Sequence, residues 1–352
     1  MLNQKQNESF SHTLRREWRE LKTFYITDEQ AESLKRRSFI GRSIVTVFYI
    51  LKAFYFRLSP VRRALFLLAL FFLFSFQAQY QTNHANLHLN LNFWGGVLLM
   101  FLLLLELKDK LLIKDEILAA RAIQNALIPE SQPHIQGFDV FLYYQPMNEV
   151  GGDLVDHIRL DEQTHLLALA DISGKGLSAA LLMSKLQGLI HAFAHDTPFE
   201  GLMATINQKF FYSVPKQSFA SMLLLQIREN ASVVRTLNAG HLPPIFWRNG
   251  HFVTLGKGGL ALGLTETQQY KITELELKPG DILLCYSDGL SEAFNLHGEQ
   301  FGEQRIQAII KAHAAQSAQE ITEAILQQVE VFVEEQNLSD DLTLIVLKKD
   351  KN

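Results

Sequence analysis

The sequence predicts an α+β domain with mostly antiparallel sheets, preceded by an apolar helical region. After residue 135, short strand-like segments follow one another in hairpin order, and the helical segments are grouped instead of following every strand. The first 130 residues contain two charge-free apolar runs, at 64–76 and 93–105. The length of 352 residues allows two or three structural units.

The elements of the C-terminal region follow from apolar periodicity and from turn residues. Asn249-Gly250 predicts a tight hairpin turn, and the segment KPGD at 278–281 predicts another turn between strands. Strands are predicted at 138–144, 154–160, 166–170, 220–227, 233–238, 244–248, 251–255, 272–277, 282–287 and 342–347, and helices at 177–193, 199–211 and, as a pair, within 303–336.

The two apolar runs predict a two-helix transmembrane hairpin over 61–107. Each run is shorter than the roughly 20 residues of a membrane span, so we expect the first helix to extend to Tyr80 and the second to begin at Leu87. Basic residues flank the outer ends, whereas the connecting segment 77–90 has no Lys or Arg. The positive-inside rule then places both ends in the cytoplasm, with the protein in the inner membrane. The alternative is a pair of buried core helices.

Other segments complete the predicted domain organisation. Residues 1–42 are polar and of mixed charge, which indicates a cytoplasmic N-terminal segment. The apolar stretch within 43–60 contains Lys52, which favours an amphipathic helix at the lipid interface over a third span. Residues 108–130 predict a helical linker to a domain at 131–352, and the helix at 106–128 is expected to pair with a second copy.

Composition excludes several kinds of site. The formal net charge of −4 gives no electrostatic footprint for nucleic acid, so no nucleic-acid partner is expected. Cys285 is the only cysteine, which rules out an internal disulfide and a cysteine metal cluster.

The stretch LALADISGKGLSAALLM at 167–183 raises the question of a nucleotide-binding loop. A P-loop needs a glycine five residues before its second glycine and a hydroxyl residue after the lysine, but here Leu169 and Gly176 occupy those positions. What remains is an aspartate, Asp171, at the end of a strand and before a flexible turn. Such a carboxylate is well placed to bind a hard cation.

Three further segments place aspartates at strand boundaries. Each aspartate lies beside glycine or a second carboxylate: Asp153 with Asp156 three residues later, Asp288, and Asp340 with Asp341. Aspartates beside glycine are also common in turns. Carboxylates gathered at one place repel each other unless cations neutralise them, and oxygen-only ligands favour Mg²⁺ or Mn²⁺ over zinc. The four segments together therefore predict a divalent metal site.

The motifs together resemble a known family over about residues 116–348. The segments, in order, are AARAIQNALIPE, YYQPMNEVGGDLVD, LADISGKGLSAALLM, LNAGHLPPI, YSDGLSEAFN and SDDLTLIVL. They resemble PPM-type metal-dependent protein serine/threonine phosphatases, the protein phosphatase 2C superfamily, in its bacterial SpoIIE-like branch. The resemblance implies a four-layer α/β/β/α sandwich of two antiparallel sheets with a metal centre at one edge.

The resemblance also implies roles for individual positions. Asp171 would bridge two divalent cations, Mn²⁺ or Mg²⁺, and the Ile172 carbonyl would add a backbone ligand. Asp153, Asp288 and Asp340 would complete the ligand set. Asp156 and Asp341 would either hold metal-bound waters or support the ligands. The cations would activate a water that attacks the phosphorus in line, with no covalent protein intermediate.

Two further residues have open assignments. Lys175 either contacts the substrate phosphate or lies on a solvated turn. His241 either acts beside that phosphate as a proton donor or holds the turn at Pro243-Pro244, and the structural role is favoured. One departure from the common family pattern is Val155, which replaces an aromatic residue without changing a ligand position.

Rival functions are less consistent with the sequence. A diguanylate cyclase needs an acidic and an aromatic residue after GGD, but Leu154-Val155 follows here. A cysteine-based phosphatase needs an arginine six residues after its nucleophile, where Cys285 has Ser291. The remaining rival is a non-catalytic membrane scaffold that uses the same fold to bind a partner.

The sequence therefore predicts a membrane-tethered phosphoserine/phosphothreonine phosphatase. Its expected partners are membrane lipid and a phosphoprotein substrate, for which the resemblance suggests an anti-sigma-factor antagonist of a partner-switching system. The 106–128 helix is expected to pass a signal or dimerisation state to the metal site.

Overall fold

The computed structural model describes most of the chain. The described residues are 18, 22, 24–26, 28–35, 39–74, 78–82, 85–89, 91–334 and 338–350. The chain divides into two compact units, Met1–Ile113 and Lys114–Asn352.

The first unit is mainly helical. Its elements are α1 (Asp28–Lys35), α2 (Phe39–Arg57), α3 (Pro60–Phe74), β1 (Ala78–Thr82), β2 (Ala85–Leu89) and the first part of α4 (Leu91–Leu127). Most of the predicted 1–42 segment lies outside the described residues, while α2 covers much of the predicted 43–60 helix. Pro60 suits the first position of α3 because its missing N–H has no partner there in any helix.

Helices α3 and α4 pack side by side within this unit. The Arg62 guanidinium contacts Glu106 Oε1 at 2.6 Å and Asp109 Oδ2 at 2.7 Å. At the other end of α3, Asn92 Nδ2 donates to the Leu73 carbonyl at 3.1 Å. These contacts hold α3 and α4 together, and the transmembrane character of the predicted 61–107 hairpin stays a prediction.

The boundaries of this hairpin differ from the prediction. Helix α3 ends at Phe74, and the chain then forms an antiparallel pair of strands in which Tyr80 faces Leu87. The predicted helical extensions to Tyr80 and from Leu87 are therefore wrong. The apolar run ends here, and Tyr80 and Thr82 are residue types that are enriched in strands.

A further difference concerns the linker. Helix α4 continues without a break to Leu127, so the second apolar run and the predicted 108–130 linker belong to one helix of 37 residues. At about 1.5 Å per residue this helix is about 55 Å long, whereas the 15 residues of α3 span about 22 Å.

Among the described helices, one is both long and apolar enough to cross a membrane, namely α5 (Leu177–Ala194), and 39% of it is buried in the protein. Buried α5 side chains such as Met183, Leu186 and Ile190 belong to the same apolar cluster as the strands beneath them. A core helix meets the same length and composition criteria, so α5 gives no support to the predicted hairpin.

The second unit contains two five-stranded antiparallel sheets and their covering helices. The first sheet has the order β10 (Thr273–Glu276), β7 (Val233–Ala239), β6 (Ala220–Arg228), β5 (Thr164–Ile172), β4 (Leu154–Arg159). The second has the order β3 (Phe138–Gln145), β12 (Leu342–Lys349), β11 (Ile282–Tyr286), β8 (Ile245–Arg248), β9 (His251–Val253). The helices are α5, α6 (Phe199–Ser213), α7 (Asp288–Ser291), α8 (Gly302–His313) and α9 (Ala318–Val333).

Three apolar clusters define four layers. One lies between the first sheet and α5/α6, one between the two sheets, and one between the second sheet and α8/α9. The predicted four-layer α/β/β/α sandwich is confirmed. The predicted Asn249-Gly250 turn is also confirmed: both residues have positive φ, 47° and 88°, as a two-residue hairpin turn requires.

Strand alternation decides which layer each side chain enters. In β5, Leu166, Ala168 and Ala170 pack toward the helices. Leu167 and Leu169 pack between the sheets. Because successive side chains on a strand point to opposite faces, Asp171 continues the inner row at the end of β5. The same rule places Asp153, which is two residues before the inward-facing Val155, on the inner side.

Candidate metal centre

The inner ends of four chain segments meet at one edge of the sandwich. Asp171 is the penultimate residue of β5, and Asp153 precedes β4. Asp288 begins α7, one residue after the end of β11, and Asp340-Asp341 precede β12. The pKa of Asp171 is raised to about 6, first by burial and then by the negative charges of Asp288, Asp340 and Asp341. The structure therefore brings together carboxylates that are distant in sequence, as predicted.

Asp153 is the most deeply buried of the four aspartates predicted as ligands, with only 3% of its surface exposed. Burial, and then the charge of Asp171, raise its pKa well above the ordinary value for an aspartate. The contact with Asp153 acts in the opposite direction on Asp171, because it lowers the pKa of that residue. The charge of Asp171 therefore makes ionisation of Asp153 more costly.

Asp288 and Asp340 form the outer part of the cluster. Burial raises the pKa of Asp288, and the charge of Asp340 adds to the effect. Asp340 forms an ion pair with Lys175, in which Nζ lies 2.6 Å from Asp340 Oδ2. Lys175 Nζ also donates a hydrogen bond to the Ser339 carbonyl at 3.0 Å. The hydrogen bond with Asp340 raises the pKa of Lys175. Lys175 thus lies at the cluster, and its phosphate contact stays a prediction.

Asp341 organises the loop that carries Asp153. Its two carboxylate oxygens accept from three backbone N–H groups, those of Met147 at 2.7 Å, Gly152 at 2.6 Å and Asp153 at 3.3 Å. A side chain at Gly151 would collide with this carboxylate. With both oxygens bonded to the backbone, Asp341 is suited to a supporting role rather than to direct ligation.

Gln124 holds the same loop from the opposite side. It is a buried residue of α4, and its amide donates to the Gly151 carbonyl at 2.8 Å while its Oε1 accepts from the Gly151 N–H at 3.1 Å. The 151–153 loop is therefore fixed between the Asp341 carboxylate and the last turns of α4. This connects the linker helix with the segment that ends in Asp153.

Two hydroxyl residues of the second sheet complete the inner layer of the site. Thr343 is fully buried, and its Oγ1 donates to Asp153 Oδ2 at 2.6 Å. The Ser287 hydroxyl accepts from the Thr343 N–H at 3.0 Å and donates to the Asp341 carbonyl at 3.2 Å. These contacts connect the ends of β11 and β12 with the loop before β4.

Asp156 lies apart from this cluster. It faces the helical layer with the even-numbered residues of β4, where its Oδ2 bonds with His191 Nε2 at 2.7 Å and Gln187 Nε2 at 3.1 Å. Gln187 Nε2 also donates to the Leu127 carbonyl at the end of α4. The described contacts of Asp156 tie β4 and α5 together, and its predicted role at the metals stays a prediction without support from this geometry.

His241 is buried between the sheets. The Tyr286 carbonyl, 3.1 Å from Nε2, can only accept, so Nε2 carries the proton and Nδ1 accepts from the Ser221 hydroxyl at 2.7 Å. Burial lowers the pKa of His241 to about 4. Both ring nitrogens are thus engaged in joining β6 to β11, which favours the structural role over contact with a phosphate.

The Ile172 carbonyl faces the same loop. It lies 3.4 Å from the position that a Cβ on Gly152 would occupy. The backbone after Asp171 therefore approaches the 151–153 loop closely, which is where the predicted backbone ligand has to be. Its ligation is a prediction.

The donor chemistry of this cluster fits hard divalent cations. Asp153, Asp171, Asp288 and Asp340 offer only oxygen atoms. The first three have raised pKa values because they are buried and because negative charge is concentrated there. Within the part of the chain that the structure describes, no three His, Cys, Asp or Glu side chains already form a complete ion cage. The cluster therefore has the ligand chemistry for cations, although its side chains are not arranged around a single point.

Sequence reasoning missed four residues of this site: Gln124, Tyr144, Ser287 and Thr343. Tyr144 is half-buried beside Gly151 and has no described partner for its hydroxyl; burial, and then the charges of Asp341 and Asp153, raise its pKa. The parity of β12 placed Thr343 on the inner face and was the available signal for it. Gln124 carried no such signal because its partner is a backbone group 27 residues away.

Residues 161–350 match the family described as Stage II sporulation protein E (SpoIIE). The chain belongs to the SpoIIE family. The predicted resemblance to PPM-type phosphatases of the SpoIIE-like branch is thereby confirmed.

Relatives of this SpoIIE-family chain include phosphoserine phosphatase RsbU of Bacillus subtilis, which is 28% identical over 246 residues, covering 67% of this chain and 71% of RsbU. Protein IcfG of Synechocystis is 25% identical, over 66% of this chain and 41% of IcfG. Phosphoserine phosphatase RsbP of Bacillus subtilis is 23% identical, over 68% of this chain and 59% of RsbP. The chain thus spans less than two thirds of the latter two relatives.

Solved structures show the same fold. The SiaA-PP2C domain of Pseudomonas aeruginosa superposes with a TM-score of 0.59 at 21% identity, covering 69% of this chain and 99% of that domain. The PP2C phosphatase domain of SpoIIE from Bacillus subtilis, solved with a fragment of its regulatory domain, gives 0.54 at 20% identity, covering 61% of this chain and 62% of that structure. The SpoIIE-family chain therefore has the PP2C phosphatase fold.

Proposed function

We propose that this SpoIIE-family chain is a protein serine/threonine phosphatase that hydrolyses phosphoserine or phosphothreonine on a regulatory protein. The carrying observation is the convergence of Asp153, Asp171, Asp288 and Asp340 at one edge of a PP2C-type sandwich, with the pKa of Asp171 raised to about 6 by burial and by its acidic neighbours. Family membership supports the same chemistry.

The four aspartates, with the Ile172 carbonyl, would hold two divalent cations, Mn²⁺ or Mg²⁺. When bound, such cations lower the pKa of a water and neutralise phosphate oxygens, which supplies the nucleophile and the electrostatic stabilisation of phosphoester hydrolysis. The choice of oxygen ligands without nitrogen or sulfur favours these ions.

Residues around the ligands orient them. The Thr343 hydroxyl aims Asp153 Oδ2, while Asp341 and Gln124 fix the backbone on either side of that aspartate. Lys175 is exposed, positively charged and bonded to Asp340, so it is available to bind a phosphate oxygen by exchanging one anionic partner for another.

The natural substrate would be a phosphoprotein of a partner-switching system. RsbU and RsbP are named phosphoserine phosphatases. By analogy we propose a serine-phosphorylated anti-sigma-factor antagonist as the substrate class, with the non-catalytic scaffold as the alternative that the experiment below tests.

We also propose that the hairpin of α3 and α4 tethers the enzyme to the inner membrane, with the catalytic domain in the cytoplasm. Large apolar side chains are exposed along both helices, including Phe71, Phe74, Phe93, Met100 and Leu103. Contact with lipid would remove this surface from water. Lys52 within α2 suits a helix at the interface.

The lower part of α4 would pair two copies and transmit their state. Large apolar side chains are exposed on this part of the helix, as expected for a helix that packs against a second copy: Leu111, Leu112, Leu118 and Ile123. The two hydrogen bonds between Gln124 and Gly151 would couple this helix to the loop that carries Asp153.

The proposal is tested with the full chain purified in detergent. Phosphate release from a phosphoserine peptide and from a serine-phosphorylated anti-sigma-factor antagonist is measured with Mn²⁺, with Mg²⁺ and with chelator. Metal-dependent release that Asp171→Asn abolishes is the expected result. Calorimetric Mn²⁺ binding without release of phosphate from either substrate would contradict the enzyme and favour the scaffold.

A further inference from the structure

An apolar surface lies beside the candidate metal centre and takes no part in the core. It consists of Leu177, Leu181 and Phe219, which are 45%, 64% and 41% exposed, and we call these three residues the rim patch. Apolar side chains scattered singly over a surface need no explanation, but a contiguous group next to a catalytic edge does.

Backbone contacts place Phe219 at the loop that follows Asp171. The Phe219 N–H donates to Ser173 Oγ at 2.9 Å, and its carbonyl accepts from the Ser173 N–H at 2.9 Å. Ser173 is two residues after Asp171 and two before Lys175. Phe219 is therefore held at the same edge of the sandwich as the aspartates.

Helix α5 brings the two leucines to the same surface. Leu177 and Leu181 are four residues apart, so they share one side of the helix, and Lys185 continues that side. Lys185 Nζ donates to the Ser213 carbonyl at 2.5 Å, at the end of α6. The segment 213–219 thus runs beside this side of α5, from the Lys185 contact to the Ser173 contact, and gathers the rim patch into one surface.

Leu177 and Leu181 are outside the buried apolar cluster beneath α5. Another side of α5 buries Ala179, Met183, Leu186 and Ile190 against the first sheet. A solvent-facing side of a surface helix is ordinarily polar. Leu177 and Leu181 give α5 a second apolar side, which contributes to its membrane-like composition and calls for a partner.

The charges around the rim patch indicate what kind of partner. Residues 173–189 and 213–219 contain Lys175, Lys185 and Lys216 and no Asp or Glu. Lys175 is paired with Asp340, so Lys185 and Lys216 supply the net positive charge around this apolar centre. The surface is complementary to an acidic protein that also presents apolar side chains.

We propose that the rim patch is the docking surface for the folded phosphoprotein substrate. This inference rests on the proposed phosphatase function and adds where the substrate protein binds. A lipid surface also attracts cationic, apolar patches, but a bilayer covering the 173–176 loop would obstruct the catalytic edge. A substrate protein has to approach that edge, and contact with the rim patch places its phosphoserine beside Lys175.

The test compares two substrates on the full chain in detergent. Leu181→Ser and Phe219→Ser are made singly and together, with Val331→Ser as the matched control, because Val331 is 71% exposed on α9, which covers the other sheet. The substrates are a short phosphoserine peptide and the serine-phosphorylated anti-sigma-factor antagonist.

The expected result is a loss of about tenfold in kcat/KM for the phosphoprotein in the double variant, with the peptide unaffected and the control unchanged on both. An unchanged rate on the phosphoprotein would overturn the proposal, and so would an equal loss on the peptide, since that would place the effect at the reacting groups.

Three other outcomes would give the rim patch a different role or overturn its proposed role in docking. Loss of binding to anionic vesicles, with protein turnover intact, would assign it to the membrane. Conversion of a dimer to a monomer in light scattering, again with turnover intact, would assign it to a second copy. If the unaltered chain hydrolysed neither substrate, both the proposed phosphatase function and the proposed docking surface would fail. If it hydrolysed the peptide but not the phosphoprotein, the phosphatase function would stand and this phosphoprotein would be refuted as the docking partner.

Discussion

Replacing Thr343 by valine isolates one hydrogen bond at the proposed metal centre. Valine has nearly the same shape and volume as threonine, so no cavity forms at this fully buried position. The change removes only the hydroxyl that donates to Asp153 Oδ2 at 2.6 Å. The backbone pairing of Thr343 with Ser287 is retained, so the strand itself stays in place.

The magnitude follows from the charge on the acceptor. A hydrogen bond to a charged group contributes about 1.5–3 kcal/mol, and one pKa unit corresponds to about 1.4 kcal/mol. Burial and Asp171 already raise the pKa of Asp153, and the Thr343 hydroxyl opposes that rise. Removing the hydroxyl is therefore expected to raise this pKa further.

The sign of the pH dependence follows directly. Below its pKa, Asp153 is protonated and the proton competes with a cation for the same oxygens. Thr343→Val should thus need about 10–100 times more Mn²⁺ for half-maximal activity where the pH lies below the new pKa, and the deficit should shrink as the pH rises through it.

The assay is Mn²⁺-dependent phosphate release between pH 6 and 9, with thermal unfolding in parallel. Thr343→Ser keeps the hydroxyl and should restore the Mn²⁺ requirement. Thr322→Val is the matched control: Thr322 is also fully buried, but its hydroxyl bonds to the Ala318 carbonyl within α9. A normal Mn²⁺ requirement in Thr343→Val, or an equal change in Thr322→Val, would show that this hydrogen bond does not support metal binding by Asp153.

Three further predictions concern the same edge of the fold. The pKa of Asp171 is raised from 3.8 to about 6, so its charge lowers stability above that pH; Asp171→Asn should raise the melting temperature without added metal at pH 7.5 but not at pH 4, and a lower value at pH 7.5 would contradict this. Gln124→Leu leaves the N–H and carbonyl groups of Gly151 unpaired and should raise the Mn²⁺ requirement about tenfold or more. The control Asn125→Leu, at an exposed position, should not change this requirement. Equal effects of the two substitutions would argue against a role of Gln124 in positioning the loop. The pKa of His241 falls from 6.5 to about 4 on folding, so the unfolded chain binds more protons between these pH values. The free energy of unfolding should therefore decrease by up to roughly 3 kcal/mol as the pH drops from 6.5 to 4. Denaturant unfolding should show a smaller decrease in His241→Gln, and an identical decrease would exclude this residue as the cause.

Much of the sandwich could be predicted because its strands are short and regularly patterned. The predicted strands over 154–160 and 220–227 differ from β4 and β6 by a single residue at one end. The alternation of side chains in β4 also predicts that Asp153 and Asp156 lie on opposite faces, because side chains three residues apart on a strand point to opposite sides. That inference was available from the sequence and would have placed the two carboxylates in different layers.

The remaining features depend on contacts between distant segments. Gln124 carries no motif, and its importance arises only when α4 lies against the 151–153 loop. The apolar run before Tyr80 predicted continued helix, but pairing of β1 with β2 ends α3 at Phe74, because local strand pairing outweighs apolar continuity there. The structural role of His241 was predicted as the favoured one, and its two hydrogen bonds agree with that preference.

The candidate centre is divided between the two sheets. Asp153 and Asp171 belong to the first, whereas Asp288 and Asp340 border strands of the second. Mutual repulsion of the carboxylates disfavours close packing of the two sheets at this edge, and cations bound by aspartates of both sheets would hold the sheets together. Catalytic readiness and the packing of one sheet on the other would then be a single equilibrium. A substitution deep between the sheets could change activity without touching a ligand, and hydrogen exchange at the ends of β5 and β11 would slow when Mn²⁺ is added.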